Sequence, residues 1–370
     1  MKDRLLTSFL FAAVLVALTS TAIASTTWYV NGITGSDSNT CTSVTTACKT
    51  VGHAISLAAS GDSIRVAAAT YKEHLTISIS LKILGAGAKT TILDGFGSFG
   101  PEVIISSATA HVTLSGITVT NGNFLSGAGI TNNGVLMLLR SAVSGNRVQL
   151  SCTHCATSGG GINNRAGAIL TIGNSTVSGN HVSISGCLLS CSAYGGGIYN
   201  AGTLVLYNST ISGNTASPYG QGNGSGIYTA SLGTAVIRNS TLSGNGGSGA
   251  ATIYGTAALQ NSIVAKYNGA NCAGAVTSNG YNLSSDATCK FTNTGDLNNT
   301  DPMLGLLQYN GGPTQTNALL SGSPAVDAGN PNGCTDGLGH LLKTDQRGKP
   351  RPDAEDTGGC DMGAYERQSD

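Results

Sequence analysis

Four segments between Gly127 and Asn245 repeat one pattern: a glycine cluster, an isoleucine, a short apolar strand, a small polar turn, then Ser-Gly-Asn. They open at Gly127-Ala-Gly-Ile130, Gly159-Gly-Gly-Ile162, Gly195-Gly-Gly-Ile198 and Gly224-Ser-Gly-Ile227, and close at Asn146, Asn180, Asn214 and Asn245. A unit of 29 to 36 residues buries too little apolar surface to offset the ordering of its own backbone. It is stable only when stacked on copies of itself, which is the logic of a solenoid.

The interior of one unit gives the coil. In Thr203-Leu-Val-Leu-Tyr-Asn208-Ser-Thr-Ile-Ser-Gly-Asn214, Leu204 and Leu206 alternate with outward residues, the period-two pattern of a strand with one buried face. Asn208 separates two strand-like pieces, and Asn174, Asn239 and Asn261 hold the same place in neighbouring coils. Asparagine tolerates left-handed backbone better than other non-glycine residues, so a sharp bend and a stacked asparagine ladder are expected there. Asn174, Asn208 and Asn239 also precede Ser-Thr and match the N-glycosylation sequon, but their identical position favours the turn role.

Upstream, Cys48 to Ala58 has helical spacing and ends at Ser60-Gly61-Asp62. A helix laid across an open solenoid end covers strand edges that would otherwise pair with other chains. The run Leu75-Thr-Ile77-Ser-Ile79-Ser-Leu81-Lys-Ile83 then alternates strictly. The expected organisation is a leader over 1–24, a cap over 25–62, coils over 63–285 and a loop-rich region over 286–370. The fold class is all-β: a right-handed parallel β-helix with a short N-terminal capping helix.

The leader is read from Lys2 and Arg4, the apolar run Phe9 to Leu18, and Ala22-Ile-Ala24. That run is too short to span a bilayer, and no later apolar stretch of about eighteen residues follows. The mature chain is expected to be exported, soluble and monomeric. Eighteen basic residues balance eighteen acidic ones, and charged residues make up only 10% of the chain, which argues against nucleic acid as a partner. The charge is unevenly placed. No Asp or Glu lies between Glu102 and Asp286, an interval holding Arg140, Arg147, Arg165, Arg238 and Lys266. From Asp286 onward there are twelve acids and six bases, a compositionally separate segment.

These residues resemble the pectin-lyase-like superfamily of right-handed parallel β-helices. Trp28-Tyr-Val-Asn-Gly, Gly61-Asp-Ser-Ile-Arg-Val, Thr70-Tyr-Lys-Glu73 and Thr91-Ile-Leu-Asp-Gly95 are similar to the first coils of its secreted bacterial members. The glycine-isoleucine element with Val177-Ser-Gly-Asn180 resembles the polymorphic outer-membrane-protein repeat, with an aliphatic residue in place of its usual aromatic. The tail resembles the choice-of-anchor Q domain in Asn298-Asn-Thr-Asp301-Pro-Met-Leu, Asn310-Gly-Gly-Pro-Thr, Gly322-Ser-Pro-Ala-Val-Asp327-Ala-Gly, Asp345-Gln-Arg-Gly and Cys360-Asp-Met-Gly-Ala-Tyr-Glu366. The resemblance implies a secreted or cell-surface protein. The chain ends four residues after Glu366, so free secretion or non-covalent attachment is expected.

Ten cysteines in an exported chain favour disulfides. Proximity pairs Cys41 with Cys48, Cys272 with Cys289 and Cys334 with Cys360. Cys152, Cys155, Cys187 and Cys191 sit in insertions of consecutive coils; two disulfides are expected, with a four-cysteine zinc site as the alternative and the pairing left open.

Many enzymes on this fold cleave acidic polysaccharides with clustered carboxylates, and glycoside hydrolysis usually takes two. The acid-free interval removes that chemistry from the central coils. One weak catalytic alternative survives: Glu73 and Asp94, 21 residues apart and near His74, in a polysaccharide lyase or glycoside hydrolase. The stretch Asp327 to Asp336 is rich in oxygen donors, but turn structure is favoured over calcium there. No metal or other cofactor is expected. Tyr199, Tyr228 and Tyr254 each follow an inward isoleucine, so they should form one exterior column. Beside Arg and Asn, such a column suits a polysaccharide or cell-surface glycan. Adhesion, glycan binding or envelope structure, without catalysis, is therefore the leading expectation for function.

Overall fold

The computed structural model describes residues 25–218, 221–247, 250–266, 268–336, 339–354 and 359–369. The expected leader, 1–24, lies outside the described residues.

The chain is a right-handed parallel β-helix with three long sheets. A ten-stranded sheet runs from Thr27–Val30 to Val276–Ser278, an eight-stranded sheet from Leu75–Ile77 to Cys272–Ala273, and a nine-stranded sheet from Ala69–Tyr71 to Leu283–Ser284. Each complete coil contributes one strand to each sheet, so like residues of successive coils pair in register. Ile130, Ile162, Ile198, Ile227 and Ile253 form one such inward column, and all are fully buried. The strand Thr27–Val30, within the segment read as cap, is already the first strand of the ten-stranded sheet and pairs with Ser63–Val66.

The capping helix, Val51–Leu57, buries Val51 and Ala54 against the first coils. Its N-cap is Thr50, whose side chain accepts from the His53 N–H. At the corner between the ten-stranded and nine-stranded sheets within each coil, Asn174, Asn208, Asn239 and Asn261 all adopt positive φ, 45° to 55°, as the bend required. Arg140 takes the same place with φ 48° and Gly116 with φ 67°, so the corner selects conformation before side chain.

The expected asparagine ladder at this corner consists of two linked pairs: Asn208 Nδ2 donates to Asn174 Oδ1 at 2.8 Å and Asn261 Nδ2 to Asn239 Oδ1 at 3.0 Å. A longer ladder runs through the asparagines that close the repeats. Asn146, Asn180, Asn214 and Asn245 are fully buried, and each Nδ2 donates to the next Oδ1 at 2.9 Å. A third ladder links Asn132, Asn164 and Asn200 at 2.8 Å. Buried amides are costly unless paired, and stacking pairs them repeatedly.

The insertions of the central coils form a lateral fin. The strands Arg147–Ser151, His181–Ser185 and Thr215–Pro218 stack in one small sheet, and Cys155–Ser158, Cys191–Tyr194 and Gln221–Asn223 in another. A second core of Val148, Val182, Ile184, Ala193 and Ala216 lies between them. Disulfides Cys152–Cys155 and Cys187–Cys191 close two turns of the fin, while Cys41–Cys48, Cys272–Cys289 and Cys334–Cys360 pair as expected.

The C-terminal region folds back onto the outer face of the nine-stranded sheet. Gln346 bridges two coils there, donating to Thr176 Oγ1 at 2.9 Å and accepting from Thr210 Oγ1 at 2.6 Å. Asn208 Nδ2 donates to the Thr344 carbonyl, and Arg351 Nη1 to Asn208 Oδ1 at 2.9 Å. Arg351 and Glu366, both fully buried, pair at 2.6 Å. Two of the three sequon asparagines, Asn208 and Asn239, are thereby buried beneath this layer.

Candidate functional site: a tyrosine ladder

The eight-stranded sheet carries one aromatic column on its outer face. Tyr199, Tyr228 and Tyr254 are register partners on adjacent strands. Their rings are nearly parallel: Tyr199 and Tyr228 stack at 5.5 Å and 7°, Tyr228 and Tyr254 at 5.2 Å and 6°. Parallel pairing dictates this, because identical outward positions repeat at the strand spacing. Each ring is half-buried. Burial lifts the Tyr199 and Tyr228 phenols above their usual range, and neighbouring tyrosines add to it.

A fourth ring, Tyr194, joins from the fin, 4.6 Å from Tyr228 and 6.5 Å from Tyr199. It is not apparent from the isoleucine-tyrosine spacing because it precedes the glycine cluster. Gly195, at φ 65°, makes the sharp turn that brings Tyr194 back over Tyr199; a Cβ there would lie 2.6 Å from the Tyr199 nitrogen.

The ladder ends at Tyr199. In the preceding coil its register partner is Asn163, so one face of the Tyr199 ring has no aromatic neighbour from that coil. A shallow recess of about 500 Å³ opens there, lined by Ser126, Asn133, Asn163, Arg165 and Tyr199. Asn163 Nδ2 donates to Ser126 Oγ at 2.6 Å, whereas its buried Oδ1 has no partner among the described residues. Arg165 is exposed and brings positive charge to a stretch without carboxylates. An aromatic face, side-chain amides and a guanidinium thus converge on one depression.

The other sequence candidates lie elsewhere. Glu73 accepts from the Val51 N–H at 2.8 Å and the Gly52 N–H at 2.7 Å, compensating the helix N-terminus. Burial nevertheless lifts its carboxyl above the usual range. Asp94 accepts from the Phe96 N–H and from Asn121 Nδ2 at 2.8 Å, a turn-forming role. The register of the strands around them matches Tyr71 with Leu93, one step off from pairing Glu73 with Asp94. The acid that sequence spacing did not single out is Glu102, fully buried, with both oxygens lacking hydrogen bonds among the described residues.

The sulfurs of Cys152, Cys155 and Cys191 lie within 4.8 Å of one another, so the fin does bring the two insertions together. All four of its cysteines are taken up in the two disulfides. In the stretch from Asp327 to Asp336, the Asn330 side chain accepts from the Asn332 N–H and Asp336 pairs with His340 at 2.8 Å. These donors are drawn into turns. Among the described residues no helix is long and apolar enough to cross a membrane.

No protein-family model matches the chain, and no curated protein matches it.

Proposed function

We propose that this is a secreted or cell-surface β-helix that binds a polysaccharide or surface glycan through the Tyr199 end of its tyrosine ladder, serving adhesion or envelope structure. The observation that carries the reading is the recess itself: a ring face at Tyr199, the Asn133 and Asn163 amides and Arg165 around one depression. A pyranose offers an apolar face for the ring and hydroxyls for the amide, and a uronate or sulfate would meet Arg165. The acid-free central coils favour holding a glycan there over cleaving its glycosidic bonds.

Surface attachment draws support from the tail's resemblance to choice-of-anchor Q regions, and the stacked coils from their resemblance to polymorphic outer-membrane-protein repeats. Export draws support from the leader pattern over 1–24 and the five disulfides. Screening the protein from Ser25 onward on an array of neutral and acidic glycans tests the reading. Retention of a defined glycan class supports it, and a blank array overturns it.

A further inference from the structure

The first two coils of the eight-stranded sheet break a rule that the four repeats keep. The residue immediately before the inward strand of the eight-stranded sheet is Gly129, Gly161, Gly197 or Gly226 in the repeats, because the ladder asparagine fills that space. The matching positions in the earlier coils are His74 and Glu102. Leu75 pairs with Val103 and Val103 with Ile130, and the Leu75 N–H donates to the Glu102 carbonyl at 2.8 Å. Coil stacking alone therefore sets His74 over Glu102, with His74 Nδ1 3.6 Å from Glu102 Oε2.

A glycine-rich loop, Gly95-Phe-Gly-Ser-Phe-Gly-Pro101, wraps this pair. It turns through positive φ at Phe96 and Gly97, 54° and 66°. Its end places the Pro101 carbonyl 3.0 Å from His74 Nδ1. A carbonyl only accepts, so Nδ1 carries the proton and Nε2 of the neutral ring keeps its lone pair. That nitrogen lies 2.7 Å from Ser98 Oγ. The Ser98 hydroxyl is exposed and also lies 2.8 Å from the Gly95 carbonyl, so its single proton has two acceptors in reach. A hydroxyl against an imidazole whose tautomer is fixed by the Pro101 carbonyl, with the Glu102 carboxyl 3.6 Å from Nδ1, meets the geometric test for an activated nucleophile.

We propose that Ser98, His74 and Glu102 form an acyl-transfer site that hydrolyses esters of small apolar or aromatic acids. Ser98 is the nucleophile, His74 the general base and Glu102 a positioning residue. Ser98 Oγ attacks the acyl carbonyl carbon while its proton passes to His74 Nε2. The ester C–O bond breaks, and the alcohol leaves with that proton. Water then attacks the acyl-serine, giving its proton to His74; the acid departs and Ser98 recovers its hydrogen.

The surface around Ser98 sets the acyl class. Phe96 and Phe99 are 66% and 67% exposed. Phe99 packs edge-on against Phe124 at 5.1 Å. These side chains offer an apolar seat, edged by the Lys72 ammonium 3.9 Å over the Phe96 ring and by Asp94 at the Phe96 N–H.

A fluorophosphonate probe, and p-nitrophenyl acetate, butyrate and benzoate, test the proposal on the protein from Ser25 onward. The expected result is a covalent adduct on Ser98 and ester hydrolysis reduced roughly 100-fold or more in Ser98→Ala and His74→Gln. Ser98→Cys should keep a nucleophile at the same point and take up iodoacetamide faster than a free thiol, which also reports on an intact site. Glu102→Gln should alter the pH profile of kcat/KM: its carboxyl is faced by His74, Asp94 and Glu73, and the wild-type limb tied to its ionisation should vanish. Absence of a Ser98 adduct, or equal hydrolysis by wild type and Ser98→Ala, overturns the proposal. Glycan retention at Tyr199 should be unchanged in Ser98→Ala, so the two sites fail independently.

Discussion

The side-chain amide of Asn180 donates to Oδ1 of Asn214, one coil further on, at 2.9 Å, and neither residue is exposed to solvent. Asn180 makes three further hydrogen bonds: Nδ2 to the Val143 carbonyl at 2.9 Å, and Oδ1 from the Asn146 backbone N–H and side-chain amide at 3.0 and 2.9 Å. One side chain thus ties three coils together.

Asn180→Ala removes all four bonds and strips the buried Asn146 backbone N–H and Val143 carbonyl of this partner, while Asn214 Oδ1 keeps the Asn180 N–H. Each unsatisfied buried group costs about 1–3 kcal/mol, so a loss of roughly 3 kcal/mol or more in urea unfolding is expected. A loss below about 1 kcal/mol would show that the ladder is ornamental to stability.

Gly161 faces that same asparagine: a Cβ would lie 2.8 Å from Asn180 Nδ2 and 2.7 Å from the Gly197 carbonyl. Gly179, at φ 61°, has nothing within 4 Å of its would-be Cβ. Gly161→Ala must move backbone and ladder, an overpacking cost of about 1–3 kcal/mol that adds to any backbone effect. Gly179→Ala meets only left-handed strain, roughly 1–2 kcal/mol. Calorimetric melting should rank Gly161→Ala below Gly179→Ala, and the reverse order would contradict the contact.

Burial, with the nearby charges of Asp94 and Glu73, pushes the Glu102 carboxyl up to about 8 from 4.5. The folded state therefore holds this proton more tightly than the unfolded chain. The stability it contributes is complete below about pH 4.5 and lost as pH rises through about 8. Glu102→Gln should match wild type in melting temperature at pH 5 and exceed it at pH 9. Parallel curves across that range would place the charge somewhere better solvated.

Arg351 and Glu366 hold the C-terminal layer on the nine-stranded sheet. Arg351→Met takes the guanidinium from a fully buried carboxylate and from Asn208 Oδ1, a type of change that costs about 3–5 kcal/mol. The layer should become sensitive to protease at concentrations that leave the wild type intact, while the coils resist. Equal sensitivity of both proteins would mean that the layer is held elsewhere.

How much of this was written in the chain differs from place to place. The isoleucine column, the left-handed Asn208 corner and the capping helix each follow from local spacing, and they are where local spacing puts them. The ladder through Asn180 escaped because Ser-Gly-Asn reads equally well as an outward turn; only stacking turns its amide inward. The Asn-Ser-Thr triplets repeat because Thr176, Thr210 and Asn208 contact a layer more than a hundred residues away in sequence, which no local pattern encodes. The juxtaposition of His74 and Glu102 stayed hidden because the loop from Gly95 to Pro101 lengthens that coil, so counting a fixed coil length points to Glu73 and Asp94 instead.

The central claim, that the Tyr199 end of the ladder binds a glycan, is tested most directly by calorimetric titration of the best array glycan into wild type, Tyr199→Ala and Tyr254→Ala. Tyr199→Ala should weaken binding about tenfold or more, the scale of one lost aromatic contact of about 1.4 kcal/mol, whereas Tyr254→Ala, at the far end of the stack, should leave it nearly unchanged. Equal affinity in wild type and Tyr199→Ala would contradict the claim.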